Sequence, residues 1–213
     1  MEGEQQSESM NFLVLEELPQ ELTPLKIAQT INELLQKQRR RGSESAQFNL
    51  YIYQKIAKLV GKTDKRYLFN QARKLFGSIN SENQKTANAL LLGLGIDNIV
   101  QGIFAARMAF EDLGSNEKFT TQEELKLIRP GRRKMLRVLK NLGREKDPAK
   151  KAGDTIFRLY IKTFQAGLKL VSKKTGVNFN TSAMRPRFNR HAYQLLSTVF
   201  SPAPPQKFKL SVG

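Results

Sequence analysis

The chain has 213 residues, with 36 Lys and Arg against 19 Asp and Glu, which gives a formal net charge of +17. It contains one His and no Cys. This composition excludes a disulfide framework, a thiol nucleophile, a zinc ribbon and a multi-His metal site. A hydrophobic fraction of 39% is sufficient for one sizeable core or for two small helical subdomains. We therefore expect a folded protein that uses no metal ion or other cofactor.

The charge divides the chain into an acidic leader and a basic body. Residues 1–24 contain six Glu and no Lys or Arg, so the remaining residues carry a formal charge of +23. Eleven basic residues lie from Lys126 to Lys151, and no acidic residue follows Asp154. Such segments repel themselves unless a polyanion or an acidic partner neutralises them. We predict a polyanionic partner for the body and a docking or shielding role for the leader.

The sequence also predicts a cellular location. The first residues lack the basic start and apolar run of a secretory signal. No later stretch approaches about 18 consecutive apolar residues, the length that spans a membrane. We therefore expect a cytoplasmic protein without a membrane span.

Apolar residues recur at helical spacing from the start of the body. Thr23 is the predicted N-cap of the first helix, with Pro24 at its first position. This helix ends in Arg39, Arg40 and Arg41, whose charges suit a helix C-terminus and phosphate binding equally well. A second helix is predicted at about 45–60, and a third from 63 or 64 to 76.

The middle of the chain predicts shorter helices. A fourth helix runs from Ser81, which forms a capping box with Gln84, until Gly93-Leu94-Gly95 interrupts it. The fifth, at 97–113, is the most apolar and is expected at the centre of the core. Thr121 and Glu124 predict another capping box, for a helix that Pro130-Gly131 ends or kinks. Further helices are predicted at 132–142, 147–174 and 186–200. Asp147 is the predicted N-cap of the second of these, with Pro148 at its first position and Gly176 closing it.

These elements predict an all-α fold, a bundle of about eight or nine helices without a substantial sheet. The acidic leader covers 1–24, and the basic helical domain covers 25–200. This domain is either one unit or two subdomains, at 25–113 and 120–200. An extended, Pro-rich basic tail follows at 201–213, because successive prolines cannot remain in a helix.

Basic residues on the later helices form the predicted nucleic-acid interface. On the long helix, four of them share one face over about 22 Å, the span of about six or seven phosphates of one strand. Arg dominates the rest of the set, and its planar fork binds phosphate with two hydrogen bonds. The predicted contacts are Arg129, Arg132, Arg133, Lys134, Arg137, Lys140, Arg158, Lys162, Lys169, Lys173, Arg185, Arg187 and Arg190.

Residues 56–68 resemble a helix-turn-helix. Ala57 is small where the two helices would touch, Gly61 lies at the turn, and Thr63 is placed to cap the second helix. This resemblance implies major-groove contacts by Lys65, Arg66, Asn70, Gln71 and Arg73. The alternative is a pair of ordinary bundle helices.

The sequence shows no catalytic constellation. Gly61-Lys62-Thr63 lacks the earlier glycine of a Walker A loop, and Gly93-Leu94-Gly95 lacks the third glycine of a dinucleotide fingerprint. His191 has no nucleophile motif around it. We predict a non-catalytic protein that binds RNA or DNA, mainly through the phosphate backbone.

In general make-up, residues 25–200 resemble the small helical subunit of CRISPR interference complexes. The resemblance rests on helical content and basic charge, and it assigns no residue a role. It implies an antiviral ribonucleoprotein with protein partners, in which the subunit lies along the guide–target duplex or the displaced strand. Two alternatives are a sequence-specific helix-turn-helix DNA-binding protein and a basic structural adaptor for an acidic protein or membrane surface.

Overall fold

The computed structural model describes residues 22–41, 45–76, 78 and 80–179, and this part of the chain is helical without a strand. The helices are α1 (Pro24–Arg41), α2 (Ala46–Gly61), α3 (Lys65–Phe76), α4 (Ser81–Asp112), α5 (Thr121–Asn141) and α6 (Pro148–Thr175), with a 3-10 turn at Leu142–Arg144. The predicted all-α class is confirmed. The helix predicted at 186–200 lies outside the described residues.

The predicted helix break at Gly93-Leu94-Gly95 is wrong, because both glycines lie inside α4. A Cβ atom on Gly93 would lie 2.5 Å from Cδ1 of Ile31 in α1. One on Gly95 would lie 3.1 Å from Cγ of Met135 in α5. The missing side chains therefore allow neighbouring helices to approach α4 closely, and they do not end it.

The predicted helix end at Pro130-Gly131 is also wrong, because α5 continues through both residues. Pro130 is exposed, as is Lys126 four residues earlier, so the hydrogen bond that Pro removes lies on the solvent side. Gly131 faces the core, where an added Cβ would lie 2.6 Å from Cδ1 of Ile99. With both breaks absent, the described residues contain six α-helices, and the predicted eight or nine are not confirmed.

Three predicted helix ends are confirmed. The Lys26 amide donates to Thr23 Oγ1 at 3.3 Å, which caps α1. The Lys150 amide donates to Asp147 Oδ1 at 2.9 Å, which caps α6. Gly176 closes α6 with φ of 73°, a left-handed conformation that Gly adopts without a steric penalty.

Both predicted N-caps are displaced by one residue, and only α5 forms a capping box. The cap of α4 is Asn80, and the box of α5 is formed by Thr120 with Glu123. Glu124 does not cap, because its side chain is buried and forms an ion pair with Arg107 of α4. The side chain of Glu124 thus links α5 to α4.

Helix α4 is the centre of the fold. It packs against α1, α2, α3, α5 and α6, most extensively against α6. Residues 89–97 are all buried, which explains why this helix lacks a polar face. One core cluster includes side chains from the described parts of both 25–113 and 120–200.

By length and composition alone, α4 is the one described helix that could cross a membrane. However, 72% of its most apolar window is buried inside the protein. The central helix of a packed bundle has this same composition, because every side of it contacts apolar neighbours.

We expect Gly102→Ala to destabilise the fold by about 1–3 kcal/mol, because overpacking forces the neighbours apart. A Cβ atom there would lie 2.8 Å from the backbone oxygen of Tyr160 in α6. The matched control is Gly61→Ala, since nothing lies within 4 Å of the added atom. It should stabilise α2 by up to about 1 kcal/mol. Chemical denaturation measures the free energy of unfolding of both variants. Equal changes in this free energy would contradict the close approach of α4 and α6 at Gly102.

Candidate nucleic-acid interface

The outward face of α6 carries four of the predicted contacts. Arg158, Lys162, Lys169 and Lys173 are all exposed, whereas the opposite face buries the apolar side chains of this helix. Within the described part of the chain, no carboxylate lies within 4 Å of these four cations. The charges are therefore available to an external anion.

A cation from α5 joins this face of α6. Burial lowers the pKa of the Lys134 amine, and the positive charges of Lys162, Arg158 and Lys151 lower it further. Lys134, Lys151, Arg158 and Lys162 thus form one α5–α6 cationic group. The packing of α5 on α6 creates this group from segments that are separated in the sequence.

Two carboxylates near α5 and α6 form ion pairs with lysines of α6. Glu145 lies 3.4 Å from the amine of Lys151, at the edge of the α5–α6 cationic group. Glu123 lies 3.2 Å from the amine of Lys174, which also donates to the Lys118 carbonyl oxygen at 2.9 Å. The Lys174 contacts tie the end of α6 to the start of α5, so they position the two helices without neutralising the group.

Three predicted arginines lie on another side of α5. A step of two residues turns a helix by about 200°, so Arg132 and Lys134 point in nearly opposite directions. Arg132 lines a pocket of about 360 Å³ between α1, α2 and α5. We call it the arginine pocket, and its main lining residues are Gln38, Arg39, Tyr53, Arg129, Arg132 and Arg133. The structure therefore separates the predicted interface into two cationic surfaces.

The other predicted contacts have mixed placements. Arg137 and Lys140 are exposed on α5, where neither lines the arginine pocket. Arg185, Arg187 and Arg190 lie outside the described residues.

One residue of the segment that resembles a helix-turn-helix forms an ion pair with a buried carboxylate. Lys65 directs its amine to within 2.5 Å of the Asp97 carboxylate, which is buried on α4. Arg66, Asn70 and Arg73 are exposed on α3, and Gln71 is half-buried.

The packing around this segment also differs from the predicted arrangement. Helix α3 packs against α4 rather than α2. Asp64, and not Thr63, accepts the hydrogen bond at the start of α3, from the Arg66 amide at 2.8 Å. Three of the five predicted groove residues are therefore at the surface, while DNA readout stays a prediction.

Sequence reasoning did not assign Lys151, Gln38 and Tyr53 to a site, and for Arg39 it left phosphate binding and helix capping open. Two signals could have found part of this set. Lys151 precedes Arg158 by seven residues, a spacing that places both on one helix face. Gln38 continues the apolar spacing of Leu34 and Leu35, so a polar side chain was predictable at a buried position of α1.

The described residues include no group of three or more His, Asp or Glu side chains that could hold a metal ion. The chain matches no protein-family model, no curated protein and no solved structure. Function must therefore be argued from the two cationic surfaces themselves.

Proposed function

We propose that this protein binds RNA or DNA through the phosphate backbone, using the α5–α6 cationic group. One observation carries the proposal: two helices bring four cations together, and Lys151 alone has a carboxylate within 4 Å among the described residues. Like charges held side by side repel each other, and a bound polyanion relieves that repulsion.

The group is also extended along α6. Lys169 and Lys173 continue the same exposed face, which supports binding along several phosphates of a strand. Contacts to phosphate position a protein on nucleic acid without reading its sequence. We therefore expect binding that depends strongly on salt and weakly on sequence.

Fluorescence anisotropy with single-stranded and duplex RNA and DNA of equal length tests this proposal. The logarithm of the association constant should fall linearly with the logarithm of salt concentration between about 50 and 200 mM, with a slope of about −0.7 to −0.9 per phosphate contact. An undetectable interaction at low salt, or an affinity independent of salt, would contradict it.

Anionic lipid vesicles provide the comparison with the structural-adaptor alternative. Binding to vesicles without binding to any of the four nucleic acids would favour the adaptor. Membership of a CRISPR-like ribonucleoprotein stays a prediction, and sequencing of the nucleic acid that co-purifies at low salt tests it.

A further inference from the structure

The arginine pocket is a second cationic surface, distinct from the α5–α6 cationic group. Arg39 reaches it from α1, and Arg129, Arg132 and Arg133 reach it from α5. No Asp or Glu lines it. Among the described residues, no carboxylate lies within 4 Å of these guanidinium groups.

Two buried donors in this pocket lack an acceptor among the described residues. The side chain of Gln38 belongs to a residue that is only 5% exposed, and its Nε2 has no hydrogen-bond partner. The Nε atom of Arg132 is likewise buried without a partner. Both groups are N–H donors, and buried donors in folded proteins are normally paired. The pocket therefore offers an excess of donors to a ligand that supplies acceptors.

A neighbouring ring orients one of the arginines. The guanidinium carbon of Arg132 lies 5.9 Å from the ring centroid of Tyr53, within the range of a cation–π interaction. Tyr53 is only 4% exposed, so core packing holds its ring in place. Arg132 is thus directed by a fixed surface before any ligand binds.

We propose that the arginine pocket binds a phosphomonoester group. A phosphate dianion presents acceptor oxygens in several directions, and Arg forks bind such groups with paired hydrogen bonds. The volume of about 360 Å³ exceeds that of a bare phosphate. It lies within the range of about 300–1,000 Å³ that is typical of small-ligand pockets, so the group attached to the phosphate also has room.

A phosphomonoester is supplied by two sources, a free nucleoside monophosphate and the terminal phosphate of a nucleic-acid strand. This inference goes beyond the proposed function, because it uses different side chains from the backbone-binding surface. An experiment can therefore contradict the proposed function without contradicting phosphate binding in the arginine pocket, and the reverse.

Isothermal titration calorimetry at constant ionic strength tests the inference. The probes are inorganic phosphate, a nucleoside 5′-monophosphate, and one oligonucleotide with and without a 5′-phosphate. We expect Arg129→Gln and Arg132→Gln each to weaken binding of the monophosphate by about tenfold or more, because each removes a charge-assisted hydrogen bond. Arg144→Gln is the matched control, since Arg144 is an exposed arginine of the 3-10 turn after α5 and lies outside the pocket.

Gln38→Leu provides a second test that does not remove a charge. It should weaken monophosphate binding without lowering the thermal unfolding midpoint, because it removes a buried donor that has no partner among the described residues. Tighter binding of the 5′-phosphorylated strand than of its hydroxyl counterpart would support the pocket and identify the strand end as the source. Equal binding of the two strands, together with binding of the monophosphate, would support a free small ligand.

Two results would overturn the inference. One is the absence of binding of inorganic phosphate and of the monophosphate up to about 10 mM, which is weaker than typical specific recognition, together with equal binding of the two strands. The other is an unchanged affinity in Arg129→Gln and Arg132→Gln. Monophosphate binding should persist when Lys134, Arg158 and Lys162 are neutralised. Loss of backbone binding with retained phosphate binding would therefore separate the two sites.

Discussion

Replacing Lys134, Arg158 and Lys162 together with Gln is expected to weaken nucleic-acid binding by about two to three orders of magnitude near 0.1 M salt. The three side chains are members of one cationic group on neighbouring helices. Their removal should also make the salt dependence less steep. The change in slope should correspond to the loss of about two to three phosphate contacts. Anisotropy titrations at several salt concentrations measure both quantities.

The same variant should be at least as stable as the wild type. Burial and neighbouring cations lower the pKa of the Lys134 amine, so folding disfavours its protonated form. At neutral pH that form predominates in the unfolded chain, and its retention in the folded protein costs stability. Binding should therefore fall while the free energy of unfolding does not, and a drop in both would indicate damage to the fold.

A second triple variant controls for net charge. Lys26, Lys58 and Lys74 are exposed on α1, α2 and α3, away from both cationic surfaces as these are defined. Replacing all three with Gln removes the same total charge, and we expect only a small loss of affinity. If both triple variants lose affinity equally, binding depends on total charge and not on the α5–α6 cationic group.

Lys65→Met is expected to destabilise the protein by about 3–5 kcal/mol, because it leaves a buried carboxylate without its cation. Asp97 is fully buried in α4, and the amine of Lys65 lies 2.5 Å from its carboxylate. Asp97→Asn should change stability by only about 1 kcal/mol, because it removes the charge that needs a partner. The double variant should have about the same free energy of unfolding as Asp97→Asn. Chemical denaturation of all three variants measures these free energies.

The pair also predicts a pH dependence. Burial raises the pKa of Asp97, although Lys65 partly opposes the shift. Asp97 thus binds its proton more tightly in the folded state than in the unfolded state. The resulting contribution to the stability of the folded state is lost as pH rises through the folded-state pKa. The stability of the wild type relative to Asp97→Asn should therefore fall as pH rises above about 4. A difference that is constant or grows from pH 4 to pH 7 would contradict the raised pKa.

Local signals in the sequence predicted much of the fold. Thr23 with Pro24, and Asp147 with Pro148, marked helix starts correctly because capping depends on neighbouring residues alone. The role of Gly93 was mispredicted because it depends on Ile31, a side chain from another helix. Glycine is locally unfavourable in a helix, but close packing of helices outweighs that preference.

The candidate site was only partly predictable for a similar reason. Regular spacing identified the exposed cations of α6, since one helix determines which residues share a face. It could not show that Lys134 joins them while Arg132 faces a different pocket, because α5 has neighbours on two sides. Nor could it show that Lys65 is paired with Asp97, 32 positions later in the chain.

The central position of α4 has a consequence during protein synthesis. Helix α6 covers α4 most extensively, yet it begins only at Pro148, well after α4 ends at Asp112. Until α6 has left the ribosome, the growing chain exposes an apolar stretch long enough to cross a membrane. We expect this incomplete chain, rather than the finished protein, to be the form that chaperones or the membrane-insertion machinery engage most readily.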